Sequence, residues 1–235
     1  MKVIKLTSLL MLSATILFAS SCATTQMSNT GKGAIIGGGG GAALGAGIGA
    51  LIGKGKGAAI GAGIGAAVGA GAGALIGKKM DKQQAELEAQ LANAAKVEEV
   101  TDVNGFQGIK VTFEGGILFP LNGTTLSTSA KTNLSNFVVS LRENPDTDVQ
   151  IYGYTDNIGS MAANEKVSTG RAESVRNYLV ESGINANRIT AKGLPMMDYI
   201  ASNDTEAGRA QNRRVEIYIT ANENMVKKAN EGSLN

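Results

Sequence analysis

Hydrophobic positions recur along the second half of the chain with two alternating periods. Ile109, Val111 and Phe113 alternate with polar residues and predict a strand. Ala130, Leu134, Phe137, Val138 and Leu141 form a helical stripe that stops ahead of Pro145, and Val149 with Ile151 marks a second strand. A second helix is predicted from about Ser160 to Ser182, with Ala163, Val167, Arg171, Val175 and Leu179 on its inward face. A short strand follows at Ile189 to Ala191, then a brief helix near Thr205 to Asn212. The last strand turns Val215, Ile217 and Ile219 to one side. This is a βαβαβ(α)β order, an α/β domain of the sandwich kind with one four-stranded mixed sheet covered by helices.

The first half follows a different rule. Residues 31–54, "GKGAIIGGGGGAALGAGIGALIGK", return as residues 55–78 with 19 of 24 positions identical. Glycine occupies every fourth position from Gly33 to Gly77, which lines one helix face with no side chains and lets another backbone approach closely. In water so much glycine opposes a helix by about 1 kcal/mol per residue relative to alanine, whereas in a bilayer unpaired peptide groups cost more. Gly33 to Gly53 and Gly57 to Gly77 are uncharged runs bounded by lysines, which suggests a helical hairpin turning at "KGKG". A flexible Gly/Ala spacer is the competing reading, although such spacers lack apolar residues in a fixed repeat. From Met80 the composition changes to "MDKQQAELEAQLANAAKVEEV", which reads as a polar helical connector.

The N-terminus, "MKVIKLTSLLMLSATILFASSC", has two lysines, a short apolar run and small residues before Cys22, the plan of a cleaved signal peptide. Cys22 after Ala19-Ser20-Ser21 resembles a bacterial lipoprotein lipobox, with Ala19 where leucine is usual. That resemblance implies an acylated Cys22, fixed in outer-membrane lipid by chains worth about 0.8 kcal/mol per buried methylene.

Composition narrows the chemistry. Histidine is absent and Cys22 is the only cysteine, so histidine-based catalysis and an internal disulfide are excluded. No metal-ligand cluster or cofactor motif is legible, and the net charge of +2 gives no sign of a nucleic-acid partner. A wall-modifying enzyme is the weakest class, because no nucleophile with an oriented base can be pointed to.

Three segments, "ILFPLNGTTLSTSAKTNLSNF", "VQIYGYTDNIGSMAANEKVSTGRAESVRNYLVESGINANRI" and "ASNDTEAGRAQNRRVEIYI", resemble the OmpA-like peptidoglycan-binding domain over about 107–221. The whole chain resembles outer-membrane lipoproteins with a glycine zipper. The implied divisions are a signal peptide (1–21), a lipidated tether (22–30), a glycine-zipper segment (31–79), a helical linker (80–106), the OmpA-like domain (107–221) and a tail (222–235).

The resemblance implies a non-catalytic tether between outer membrane and wall that grips the diaminopimelate residue of peptidoglycan stem peptides. The free end of that residue carries one ammonium and one carboxylate, which calls for an acid and an arginine fork close together. Matched to the family motif, Asp156 of "GYTD" and Arg171 of "STGRAES" take these roles, with Asn164 and Arg213 as further contacts. Arg209 is expected in an internal ion pair, and Tyr154 stands where the family usually has histidine. A homo-oligomer through the zipper, or membrane insertion with wall binding only positioning the protein, is the alternative function.

Overall fold

Strand alternation decides which face of the sheet is covered. The computed structural model describes residues 70–102, 104–120 and 123–234, so the signal peptide, Cys22 and the glycine block up to residue 69 lie outside the described residues. Five strands are present: β1 (Lys96–Thr101), β2 (Gln107–Glu114), β3 (Thr147–Tyr154), β4 (Ile189–Leu194) and β5 (Arg214–Ala221). Their spatial order is β1-β2-β5-β3-β4. The pairs β1-β2, β2-β5 and β5-β3 are antiparallel and β3-β4 is parallel. Among the described residues six α-helices and one short 3-10 turn (Ala186–Arg188) accompany them: α1 (Ala70–Leu91), α2 (Gly115–Leu118), α3 (Thr128–Glu143), α4 (Met161–Glu181), α5 (Glu206–Asn212) and α6 (Glu223–Asn230).

Ile109, Val111, Phe113, Val149, Ile151, Val215, Ile217 and Ile219 share one core with the helices. In it lie all five residues of the stripe predicted for 130–141. Helix starts follow side-chain capping. Ser127, Ser160, Thr205 and Asn222 each accept a hydrogen bond from the backbone N–H three residues on, satisfying donors that the first turn leaves unpaired.

Three expectations are corrected. The sheet has five strands, because β1 adds to the outer edge of β2 where a continuous linker helix was expected. The connector is not a free polar helix: α1 packs against β1, β2, α3 and α6, with Ile76, Met80, Leu87 and Leu91 fully or almost fully buried. Its described residues begin inside the second glycine repeat, so Ala72 and Ile76, read as part of the zipper hairpin, join the domain core. The C-terminal tail is also structured, since α6 buries Met225, Val226 and Ala229 in that core. No helix among the described residues is long and apolar enough to cross a membrane.

The other sheet face carries Tyr152, Tyr154, Leu194 and Tyr218 as a separate cluster. Tyr152 and Tyr218 meet edge to face at 5.7 Å. Arg214 stacks 3.8 Å above the Tyr154 ring, and its Nε donates to Glu216 at 2.7 Å. The Tyr218 hydroxyl donates to the second oxygen of Glu216 at 2.8 Å, so this buried ion pair is also hydrogen-bonded from a third side chain.

Candidate functional site

Close packing of α4 against the parallel pair β3-β4 brings the charged groups together. Gly153 and Gly193 are register partners, and a methyl group at Gly153 would stand 2.2 Å from the Ser168 carbonyl oxygen. At Gly193 it would stand 2.5 Å from the Thr169 nitrogen. Only glycine permits this approach. It sets Arg171, one turn further along α4, against the α2 segment and the start of β5.

Arg171 is 3% exposed. Its Nε donates to the Gly123 carbonyl at 3.0 Å, and its guanidinium lies 5.3 Å from the centre of the Phe119 ring. Its Nη1 is buried and has no hydrogen-bond partner among the described residues. Burial, then the neighbouring charge of Arg213, pulls the Arg171 pKa below its ordinary value, with Asp156 acting in the opposite direction.

Asp156 follows β3 on a loop that Gly159 turns with φ of +98°. One carboxylate oxygen accepts from the Ile158 N–H at 3.0 Å. The other accepts from Arg213 Nη1 at 2.7 Å. Arg213 closes α5 as its C-terminal cap, and its Nη2 donates to Glu206 Oε1 at 2.6 Å. Burial opposes the Arg213 charge, but the hydrogen bonds it donates to Asp156 and Glu206 outweigh that and raise the pKa above the ordinary arginine value. Glu206 in turn is held below the usual carboxylate range by its hydrogen bonds to Arg213 and Arg209.

The charges of Asp156, Arg171 and Arg213 act on one another at this end of the sheet. Asp156 is ion-paired to Arg213, while Arg171 lies within reach of both charges and keeps one N–H pair unspent. Asn164 is 7% exposed, and its Nδ2 donates to the Ile158 and Ser160 carbonyls, so it holds the Asp156 loop to the first turn of α4. Arg209 pairs with Glu206 at 2.9 Å. Tyr154 points to the opposite sheet face, beneath Arg214.

Sequence reasoning missed Glu206, Thr155 and the Gly123 carbonyl. For Glu206 the signal was present, as an acid directly after the Thr205 cap and seven residues before Arg213. Thr155 acts through its hydroxyl, which accepts from the Met196 N–H 41 residues on, and Gly123 through a backbone oxygen, which carries no residue-type signal.

A mixed sheet with helices on one face and this Asp-Arg-Arg constellation at its end define a class. Residues 118–213 match the OmpA family, and residues 1–85 match the YMGG-like Gly-zipper. Over 144 residues it is 38% identical to the probable lipoprotein YiaD of Escherichia coli (strain K12), covering 61% of this chain and 64% of that one. It is 42% identical over 105 residues to the peptidoglycan-binding protein ArfA of Mycobacterium tuberculosis, which is 45% of this chain and 32% of ArfA. Among solved structures, the cell wall anchor of the T6SS from Pseudomonas aeruginosa superposes with a TM-score of 0.51 at 29% identity, covering 59% of this chain and 96% of that one. The chain thus spans less than two thirds of either curated relative.

Proposed function

We propose that the protein is a non-catalytic tether whose OmpA-family domain binds the diaminopimelate residue of peptidoglycan stem peptides and whose N-terminal Cys22 is acylated in the outer membrane. The observation that carries the binding half is the buried, unpartnered Nη1 of Arg171. A buried donor left unsatisfied costs about 1–3 kcal/mol, and a ligand carboxylate placed there removes that cost with a charge-assisted bond. Asp156 supplies the other half of the grip. Its two oxygens each accept one bond from the protein, and a carboxylate has about four acceptor directions, so a ligand ammonium is accommodated without breaking the Arg213 pair.

The arrangement fits recognition rather than reaction. Asp156, Arg171 and Arg213 are charges held in place by hydrogen bonds and burial, and binding a zwitterion needs only complementary charges in a partly desolvated setting. The relatives point in the same direction, since ArfA is named for binding peptidoglycan and YiaD as a probable lipoprotein.

Co-sedimentation of the full chain with purified peptidoglycan tests this reading. The wild type is expected in the pellet, and Arg171→Ala and Asp156→Ala in the supernatant with unchanged circular dichroism. Equal pelleting of wild type and both folded variants would remove the ionic grip from the account.

A further inference from the structure

Six large hydrophobic side chains are exposed among the described residues: Val139, Ile158, Met161, Met197, Tyr199 and Ile200. All but Val139 lie on two short segments, 158–161 ahead of and entering α4, and 197–200 ahead of α5. The first segment is bonded to the ion site, and the second to residues that adjoin it in the chain. Ile158 donates its N–H to Asp156 and its carbonyl accepts from Asn164. Met196 donates its N–H to Thr155 Oγ1 at 3.0 Å, next to Asp156. Ile200 and Ala201 donate theirs to Asn212 Oδ1 at 2.8 and 3.0 Å, next to Arg213.

The second segment is held in a rare shape. Met196 and Asp198 have φ of 52° and 51°, left-handed conformations that non-glycine residues rarely adopt. Three buried side chains impose it from inside: Thr155 and Asn212 through the bonds above, and Arg214, whose Nη2 donates to the Asp198 carbonyl at 2.9 Å. A loop held in this way, with Met197, Tyr199 and Ile200 exposed near the charged groups, has the character of a binding surface.

Its occupant follows from what the pocket holds. A diamino acid gripped at one free end is a side branch of a peptide, and the peptide continues out of the pocket across its edge. We propose that Met161 and Ile158 on one side, and Met197, Tyr199 and Ile200 on the other, form an apolar rim that packs against the alanyl methyl groups and backbone of the stem peptide adjoining the gripped end. The protein then recognises a wall peptide in preference to the free diamino acid. This rests on the proposed wall-binding function.

The test compares two probes on the full chain: meso-diaminopimelate alone, and a disaccharide-tetrapeptide released from purified wall. The wild type binds the second about tenfold more tightly, a difference of roughly 1.4 kcal/mol. Met197→Ser/Tyr199→Ser and Met161→Ser bring that ratio toward one while leaving the affinity for the free diamino acid in place. A preserved tenfold ratio in both variants overturns the rim, as does a wild type without preference. Loss of binding to phosphatidylethanolamine vesicles with the ratio intact would assign the loops to a lipid surface and overturn it too. A wild type that binds neither probe removes the wall-binding reading itself, and the rim with it.

Discussion

Arg171 shows how one residue type differs from its nearest substitute. Its Nε is committed to the Gly123 carbonyl and its Nη1 is left over, a division that the planar fork makes possible and a lysine ammonium cannot reproduce with the same geometry. Arg171→Lys therefore keeps the charge and loses at least about tenfold in wall affinity, or roughly 1.4 kcal/mol, as measured by co-sedimentation isotherms. Asp102 makes a separate prediction. It closes the β1-β2 turn by accepting from the N–H groups of Asn104 and Phe106, yet burial raises its pKa to about 6. A carboxyl whose pKa is higher folded than unfolded stabilises the fold below its unfolded value near 4, and that contribution is lost as pH rises through 6. Stability from this group falls by an amount on the order of 3 kcal/mol between pH 4 and pH 7. Asp102→Asn, which retains the acceptor oxygen, flattens that slope in urea titrations run at pH 4.5 and 7.5.

At the scale of elements, glycine sets the distance between α4 and the sheet. Gly153→Ala puts a methyl group against the Ser168 carbonyl, which is backbone and cannot rotate away, so the helix must shift. The expected loss is about 1–3 kcal/mol of stability, together with weaker wall binding because Arg171 moves with α4. Leu87→Ala in α1 costs about 2–5 kcal/mol in chemical denaturation if α1 is part of the fold, and close to nothing if it is a free connector.

The same elements mark what the sequence made legible. The stripes of β2, α3, β3 and β5 were readable because each buries one face cleanly, and Ser160 and Thr205 announced two helix starts. Helix α1 was misread from its composition, although Met80, Leu87 and Leu91 recur at helical spacing beside a buried Gln83. Strand β1 escaped because "KVEEVT" is an edge strand, with Lys96 and Glu98 paired on its solvated face and no apolar alternation to report. The Asp156–Arg213 pair spans 57 residues of chain, so no local spacing announces it, although both residues were named as ligand contacts from the family motif.

For the whole molecule, the three charged side chains meet only because the chain closes the sheet out of sequence order. Inserting β5 between β2 and β3 carries Arg213, at the start of β5, to the loop that follows β3. The Gly115 N–H then donates to the Arg213 carbonyl at 2.6 Å, and ties the α2 segment to the same end. Helix α1 enters this domain directly from the second glycine repeat, so in this structure the repeat ends on the domain core. The measurement that bears most directly on the account is calorimetric titration of the full chain and its Arg171→Ala variant with meso-diaminopimelate. Saturable binding by the wild type, and its loss in a variant of unchanged circular dichroism, is the predicted result. Equal affinity in the two proteins, or no heat of binding from the wild type, would contradict the claim that Arg171 holds the ligand carboxylate.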